Sequence, residues 1–238
     1  MKIKLFGIAV IPFFLLLSNI VSAEQNEVYI IKVADAISPG TSEFIKSGIK
    51  KAEENEAACI IIELDTPGGL AESMRIIVQS ILASNVPVVV FVSPGGARAA
   101  SAGVMITMAA DVAAMAPGTN IGAAHPVGAG GKDIDGKMSE KVINDMVAQA
   151  KSVAEKRGRN AKWVEDAIRE SVSVTETEAL KENIIDLVAQ DIDDLIKQLN
   201  GRELKDKGVL NLENVKKVIL EETLRNKILK TISNPNIA

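Results

Sequence analysis

"AACIIIELDTPGGL", residues 57–70, decides the fold. Its first half is a continuous apolar run interrupted only at Glu63, the pattern of a strand buried on both faces of a parallel sheet. "DTPGG" (Asp65–Gly69) then breaks the run sharply. Beyond it Leu70, Met74, Ile77 and Ile81 recur at helical spacing. Strand, tight glycine-rich loop and amphipathic helix follow one another within 25 residues of Ala57.

The same unit repeats on both sides. Upstream, "VYIIKVA" (28–34) is rich in β-branched residues and reads as a strand. Pro39 and Thr41 suit the start of a helix whose apolar face holds Phe44, Ile45 and Ile49. Downstream, "VPVVVFVS" (86–93) is another buried strand, closed by "PGG". Residues from about Ala99 to Ala109 read as a helix and "DVAAMA" (111–116) as a short strand. Alternation of this kind implies an α/β fold with a mainly parallel sheet. In such sheets functional groups gather at the carboxyl ends of the strands, where both glycine-rich breaks lie.

The rest of the chain is more varied. Residues 127–137, "VGAGGKDIDGK", form a polar, glycine-rich loop. A helix from about Met138 to Lys156 carries Ile143, Met146, Val147, Ala150 and Val153 on one side, and Gly158 ends it. Asn160 is placed to cap a second helix bearing Trp163, Ala167 and Ile168. Thr175 and Glu178 have capping-box spacing. "NIIDLVA" (183–189) reads as a late strand. From Gly201 the chain is more polar, with a last amphipathic helix around Glu221–Ile232. No internal repeat is visible.

Composition narrows the function. The 238 residues are 47% apolar but only 3% aromatic, so aliphatic side chains must build the core. A net charge of −4 with no basic cluster argues against nucleic acid as a partner. Lys2 and Lys4, the apolar run to Val21 and "VSA" ending at Ala23 describe a secretory signal peptide over residues 1–23. Pro12 and the shortness of the run argue against a permanent anchor. After residue 23 no apolar run reaches the ~18 residues that span a bilayer. Cys59 is the only cysteine and reads as a small buried strand residue. His125 is the only histidine, so a zinc site is not expected, and no cofactor motif is present.

One other stretch bears on chemistry. "PGGARAASAGVMI" (94–106) sets Ser101 among glycines and alanines. A nucleophilic serine needs access, a base and donors for the oxyanion. Small neighbours give access. The start of a helix leaves the Ala102 amide free and favours negative charge. A helix packed closely on its neighbour would use the same residues. Gly68 and Gly69 let backbone amides approach a ligand, although a Pro-Gly turn alone has the same composition. The base is open on residue types. His125 lies 24 residues beyond Ser101. Lys132, Lys137 and Lys141 follow the glycine-rich loop, and a neutral lysine is a base when desolvated. Lys141 projects roughly opposite the Ile143/Met146/Ala150 stripe, a solvated face unless a cleft or a second subunit covers it.

"DTPGGL", "ASAG", "MAPGTNIGAAHPV", "GRNAKWVEDAI" and "SVTETEALKENIIDLVA" together resemble the N-terminal protease domain of the NfeD, or stomatin operon partner, proteins. These belong to the ClpP/crotonase superfamily, near the SppA-type signal peptide peptidases. The resemblance runs from about Val28 to Pro235. It implies a ClpP/crotonase-type domain over residues 24–200, with 201–238 as an appendage of the same domain, and a homo-oligomer. It implies Ser101 as nucleophile, Lys141 as general base, and Gly68, Gly69 and Ala102 as oxyanion donors. His125 is the alternative base, near the catalytic histidine of ClpP but out of register with it. The implied activity is that of an exported serine endopeptidase without cofactor or metal, cutting apolar segments of stomatin-like membrane proteins. Longer family members continue into membrane helices and a small β-barrel. A crotonase-like acyl-CoA enzyme and a non-catalytic scaffold partner are the competing classes.

Overall fold

The computed structural model describes residues 26–128 and 136–224, with 226 and 228. The signal peptide (1–23), Lys132 and half of the helix expected at 221–232 lie outside the described residues.

The stretch that opened the sequence reading is the centre of the sheet. Strand β1 (Glu27–Ala34) leads to α1 (Pro39–Glu54), then β2 (Cys59–Asp65), α2 (Ala71–Ala83) and β3 (Val88–Val92). β4 (Arg98–Ala100), α3 (Ala102–Ala109), β5 (Val112–Met115) and β6 (Asn120–Gly122) follow. Next come α4 (Gly136–Lys156), α5 (Ala161–Arg169), β7 (Ser173–Thr175), α6 (Glu176–Lys181), β8 (Leu187–Val188) and α7 (Ile192–Leu199). The chain closes with β9 (Glu203–Leu204), β10 (Gly208–Val209) and β11 (Lys216–Leu220). The main sheet runs β11-β1-β2-β3-β5-β8, and each of its pairings is parallel.

Burial on both faces explains the apolar runs. Ile60, Ile62 and Leu64 of β2 join the core formed with α1, α2 and α3. Cys59 and Ile61 point the other way, into a second core closed by Leu195, Ile196 and Leu199 of α7. Each such aliphatic side chain contributes roughly 1.5–3 kcal/mol on burial. The expected caps are present: the Asn160 side chain accepts from Trp163 N, and Thr175 and Glu178 form a full capping box.

The structure corrects the reading in four places. The helix expected from Ala99 begins at Ala102, because Arg98–Ala100 is drawn into strand pairing. Thr66 N donates to Arg98 O at 2.8 Å, and Ala100 N donates to Thr66 O at 3.1 Å. β4 then pairs with β6, and β6 with β7, as a small second sheet absent from the sequence reading. The late strand shrinks to Leu187–Val188. Residues 216–220, read as polar tail, add an edge strand beside β1, with Val218 and Leu220 packed on the α1 side of the core. Among the described residues no helix is long and apolar enough to cross a membrane.

Candidate active site

Ser101 sits where β4 turns into α3, at φ 52° and ψ −112°. A non-glycine residue there costs about 1–3 kcal/mol and persists only where its surroundings hold it. They do so from both sides. Ser101 N donates to Gly122 O of β6 at 3.1 Å, and Val104 N donates to Ser101 O at 3.0 Å. The side chain is half-buried, and its Oγ has no hydrogen-bond partner among the described residues.

The helix it caps is buried along all eight of its residues. Its far end is held by the "RGRN" segment, residues 157–160. Arg157 Nε donates to Ala109 O at 2.8 Å, and Arg159 Nη1 donates to Met108 O at 2.9 Å and to Ala110 O at 2.8 Å. Cations at a helix C-terminus complement its dipole. Asp111 pairs with Arg157 and Asp186 with Arg159, each at 2.5 Å. Burial lowers the Arg159 pKa, while Asp186 opposes that shift.

The "DTPGG" loop lies directly against the serine. A Cβ on Gly68 would stand 2.6 Å from Ser101 Cβ and 3.0 Å from its Oγ. One on Gly69 would meet Ile37 O at 2.2 Å. The loop is tied to the β1–α1 connection by Ile37 N donating to Gly68 O at 2.7 Å and Leu70 N donating to Ile37 O at 2.8 Å. Inside the loop the Thr66 hydroxyl accepts from Gly68 N and donates to Gly68 O, both at 3.2 Å. The Gly68 amide, expected as an oxyanion donor, is thus engaged within its own loop. The amides of Gly69 and Ala102 have no partner among the described residues. The Thr66 methyl also explains "ASAG", since a Cβ on Gly103 would fall 2.8 Å from it.

The two candidate bases are placed differently. His125 is half-buried, and its Nδ1 lies 2.9 Å from Ile168 O at the end of α5. Lys141 is exposed in the first half of α4, and no hydrogen bond or ion pair joins either residue to Ser101 among the described residues. Thr66, Gly103, Gly122 and Ile37 were not singled out from the sequence. Only the position of Thr66 inside a loop already marked as special could have pointed to it.

A parallel sheet with a strained serine at a helix N-terminus, faced by a glycine loop from the next strand end, defines a ClpP-like architecture. The solved structure of ClpP1 from Listeria monocytogenes shares that fold, with a TM-score of 0.55 and 22% identity over 70% of this chain and 94% of that one. The chain belongs to the NfeD1b N-terminal domain family, whose profile it matches over residues 27–221. It is 40% identical over 222 residues to the membrane-bound protease PH1510 of Pyrococcus horikoshii, covering 90% of this chain and 50% of that protein. The chain spans about half the length of the curated relatives it matches. A structure of 1510-N, a membrane-bound stomatin-specific protease, in a lysine-to-alanine mutant complexed with a substrate peptide, has a TM-score of 0.80 at 39% identity. It covers 88% of this chain and 98% of that one. A serine-to-alanine mutant of 1510-N has a TM-score of 0.77 at 40% identity, over 84% of this chain and 99% of that one.

Proposed function

We propose that this chain is a serine endopeptidase using a Ser101–Lys141 dyad on extended apolar peptides. The observation that carries the reading is the site around Ser101: a serine held at positive φ, whose Oγ, like the nearby amides of Gly69 and Ala102, has no partner among the described residues. Neutral Lys141 takes the proton as Ser101 Oγ attacks the peptide carbonyl. The Gly69 and Ala102 amides stabilise the oxyanion, the lysine returns its proton to the leaving amine, and water releases the acyl-enzyme. The spacing of the serine and lysine altered in the two 1510-N mutants is within one residue of the Ser101–Lys141 spacing, which supports the assignment.

Three exposed apolar residues support an apolar substrate. Leu70, next to Gly69, is 49% exposed, Val127 is 59% exposed, and Met138, one turn before Lys141, is 61% exposed. An apolar peptide lying over them would also strip water from Lys141, the condition under which a lysine acts as a base. A second copy of the chain over the same face would do the same. The stomatin specificity of the 1510-N relative supports a membrane protein of that kind as the natural substrate. The basic, apolar N-terminus supports action on the exported side of a membrane.

The test is cleavage of an apolar peptide by wild type, Ser101→Ala and Lys141→Ala. Cleavage by the wild type alone is the expected result. Full activity in Ser101→Ala would remove the proposal.

A further inference from the structure

We infer that His125 is a positioning residue that pins the end of β6 beneath Ser101, rather than the group that takes the serine proton. The inference rests on the peptidase reading above.

The chain of contacts is short. Ser101 N donates to Gly122 O at 3.1 Å, so the serine backbone is registered on the last residue of β6. Gly122 is pressed onto its other neighbour: a Cβ there would lie 2.3 Å from Val172 O. Immediately beyond it Ala123 adopts φ 50°, a left-handed conformation that alanine does not hold unaided. Three successive donors secure it. Ala123 N donates to Val172 O, Ala124 N to Ala167 O, and His125 Nδ1 to Ile168 O, each at 2.9 Å. Ala167 and Ile168 belong to the last turn of α5, whose carbonyls have no partner within the helix. His125 therefore supplies a side-chain tie in a backbone clasp between the end of α5 and the strand under Ser101.

The chemistry of the tie fixes which ring nitrogen carries the proton. A carbonyl oxygen only accepts, so Nδ1 carries the proton in both the neutral and the charged imidazole. The pin therefore holds whatever the charge on the ring. A base would have to work through Nε2, which makes no hydrogen bond among the described residues. Releasing the pin lets Ala123 leave its left-handed conformation and moves the Gly122 carbonyl that registers Ser101. A displacement of that order lowers kcat and leaves KM nearly unchanged.

Asparagine and glutamine distinguish the two roles. The amide nitrogen of His125→Asn falls near Nδ1 and can donate to Ile168 O, but it offers no base. That of His125→Gln reaches toward the Nε2 position instead. Wild type, His125→Ala, His125→Asn and His125→Gln are compared for kcat and KM on an apolar peptide. The exchange of the Ala123 and Ala124 amides is followed by NMR in the same four proteins. The expected result is a kcat lower by about ten- to a hundredfold in Ala and Gln, with faster amide exchange, and both properties restored in Asn. An Asn variant as inactive as Ala, yet with normal exchange, would overturn the inference and make Nε2 the base. Should the wild type cleave nothing, the peptidase reading falls while the clasp is still tested. Protection lost in Ala and regained in Asn then upholds it, and equal protection in all four proteins overturns it.

Discussion

Gly68 and Ser101 are in van der Waals contact across two strand ends, and the contact leaves no space for a side chain on the glycine: a Cβ would lie 2.6 Å from Ser101 Cβ. Gly68 also holds φ 115°, which other residues rarely adopt. Gly68→Ala must therefore displace either the loop or the serine. We expect a loss of about a hundredfold or more in kcat/KM on an apolar peptide. Thermal melting should show a cost of about 1–3 kcal/mol.

Thr66 has two separable jobs. Its hydroxyl satisfies both backbone groups of Gly68, and its methyl packs on Gly103. Thr66→Val keeps the packing but leaves a buried N–H without an acceptor, a cost of about 1–3 kcal/mol. Thr66→Ser keeps the hydrogen bonds and loses one methyl, about 0.5–1.5 kcal/mol. Denaturant titration should rank wild type, Ser and Val in that order, with activity in Ser well above Val.

Arg159 holds the end of α3 farthest from Ser101. It is buried, donates to Met108 O and Ala110 O, and pairs with Asp186 at 2.5 Å. Arg159→Met leaves Asp186 and both carbonyls without that donor, and a loss of about 3–5 kcal/mol is expected. Adding Asp186→Asn should recover part of it, so the double mutant costs less than the sum of the two single ones. Urea midpoints of the three variants measure this.

The α4–α5 contact is sensitive to acid. Hydrogen bonds from Arg169 and Lys151 hold the Glu165 carboxyl down to about 2, from 4.5 without them. Folding thus favours the ionised form. The resulting stability is fully present above about pH 4.5 and is lost as pH falls through about 2. Glu165→Gln should melt below wild type at pH 7, and the gap should close between those two pH values.

The long features were legible because they are written locally. β2 and β3 are apolar runs that can only be buried on both faces, and the glycine pairs mark their carboxyl ends. The small second sheet was not legible. Strands of three residues such as Arg98–Ala100 and Asn120–Gly122 have no period of their own and exist because Thr66 and Gly122 pair with distant backbone. β11 was hidden by Lys216 and Lys217, since an edge strand needs few apolar side chains. In the site, Ser101, Gly69 and Ala102 were singled out from small residues at strand ends. The engagement of the Gly68 amide was not, because it depends on where one threonine hydroxyl points. Lys141 was read as lying on a solvated helix face and is exposed in the structure.

The central claim is that Ser101 is the nucleophile, and covalent capture tests it most directly. Wild type, Ser101→Ala and Lys141→Ala are treated with a fluorophosphonate, and the intact masses and peptide maps are compared. The account predicts a single adduct on Ser101 in wild type, none at that site in Ser101→Ala, and slowed formation in Lys141→Ala. An adduct of undiminished yield in Ser101→Ala, mapped to another residue, would contradict it.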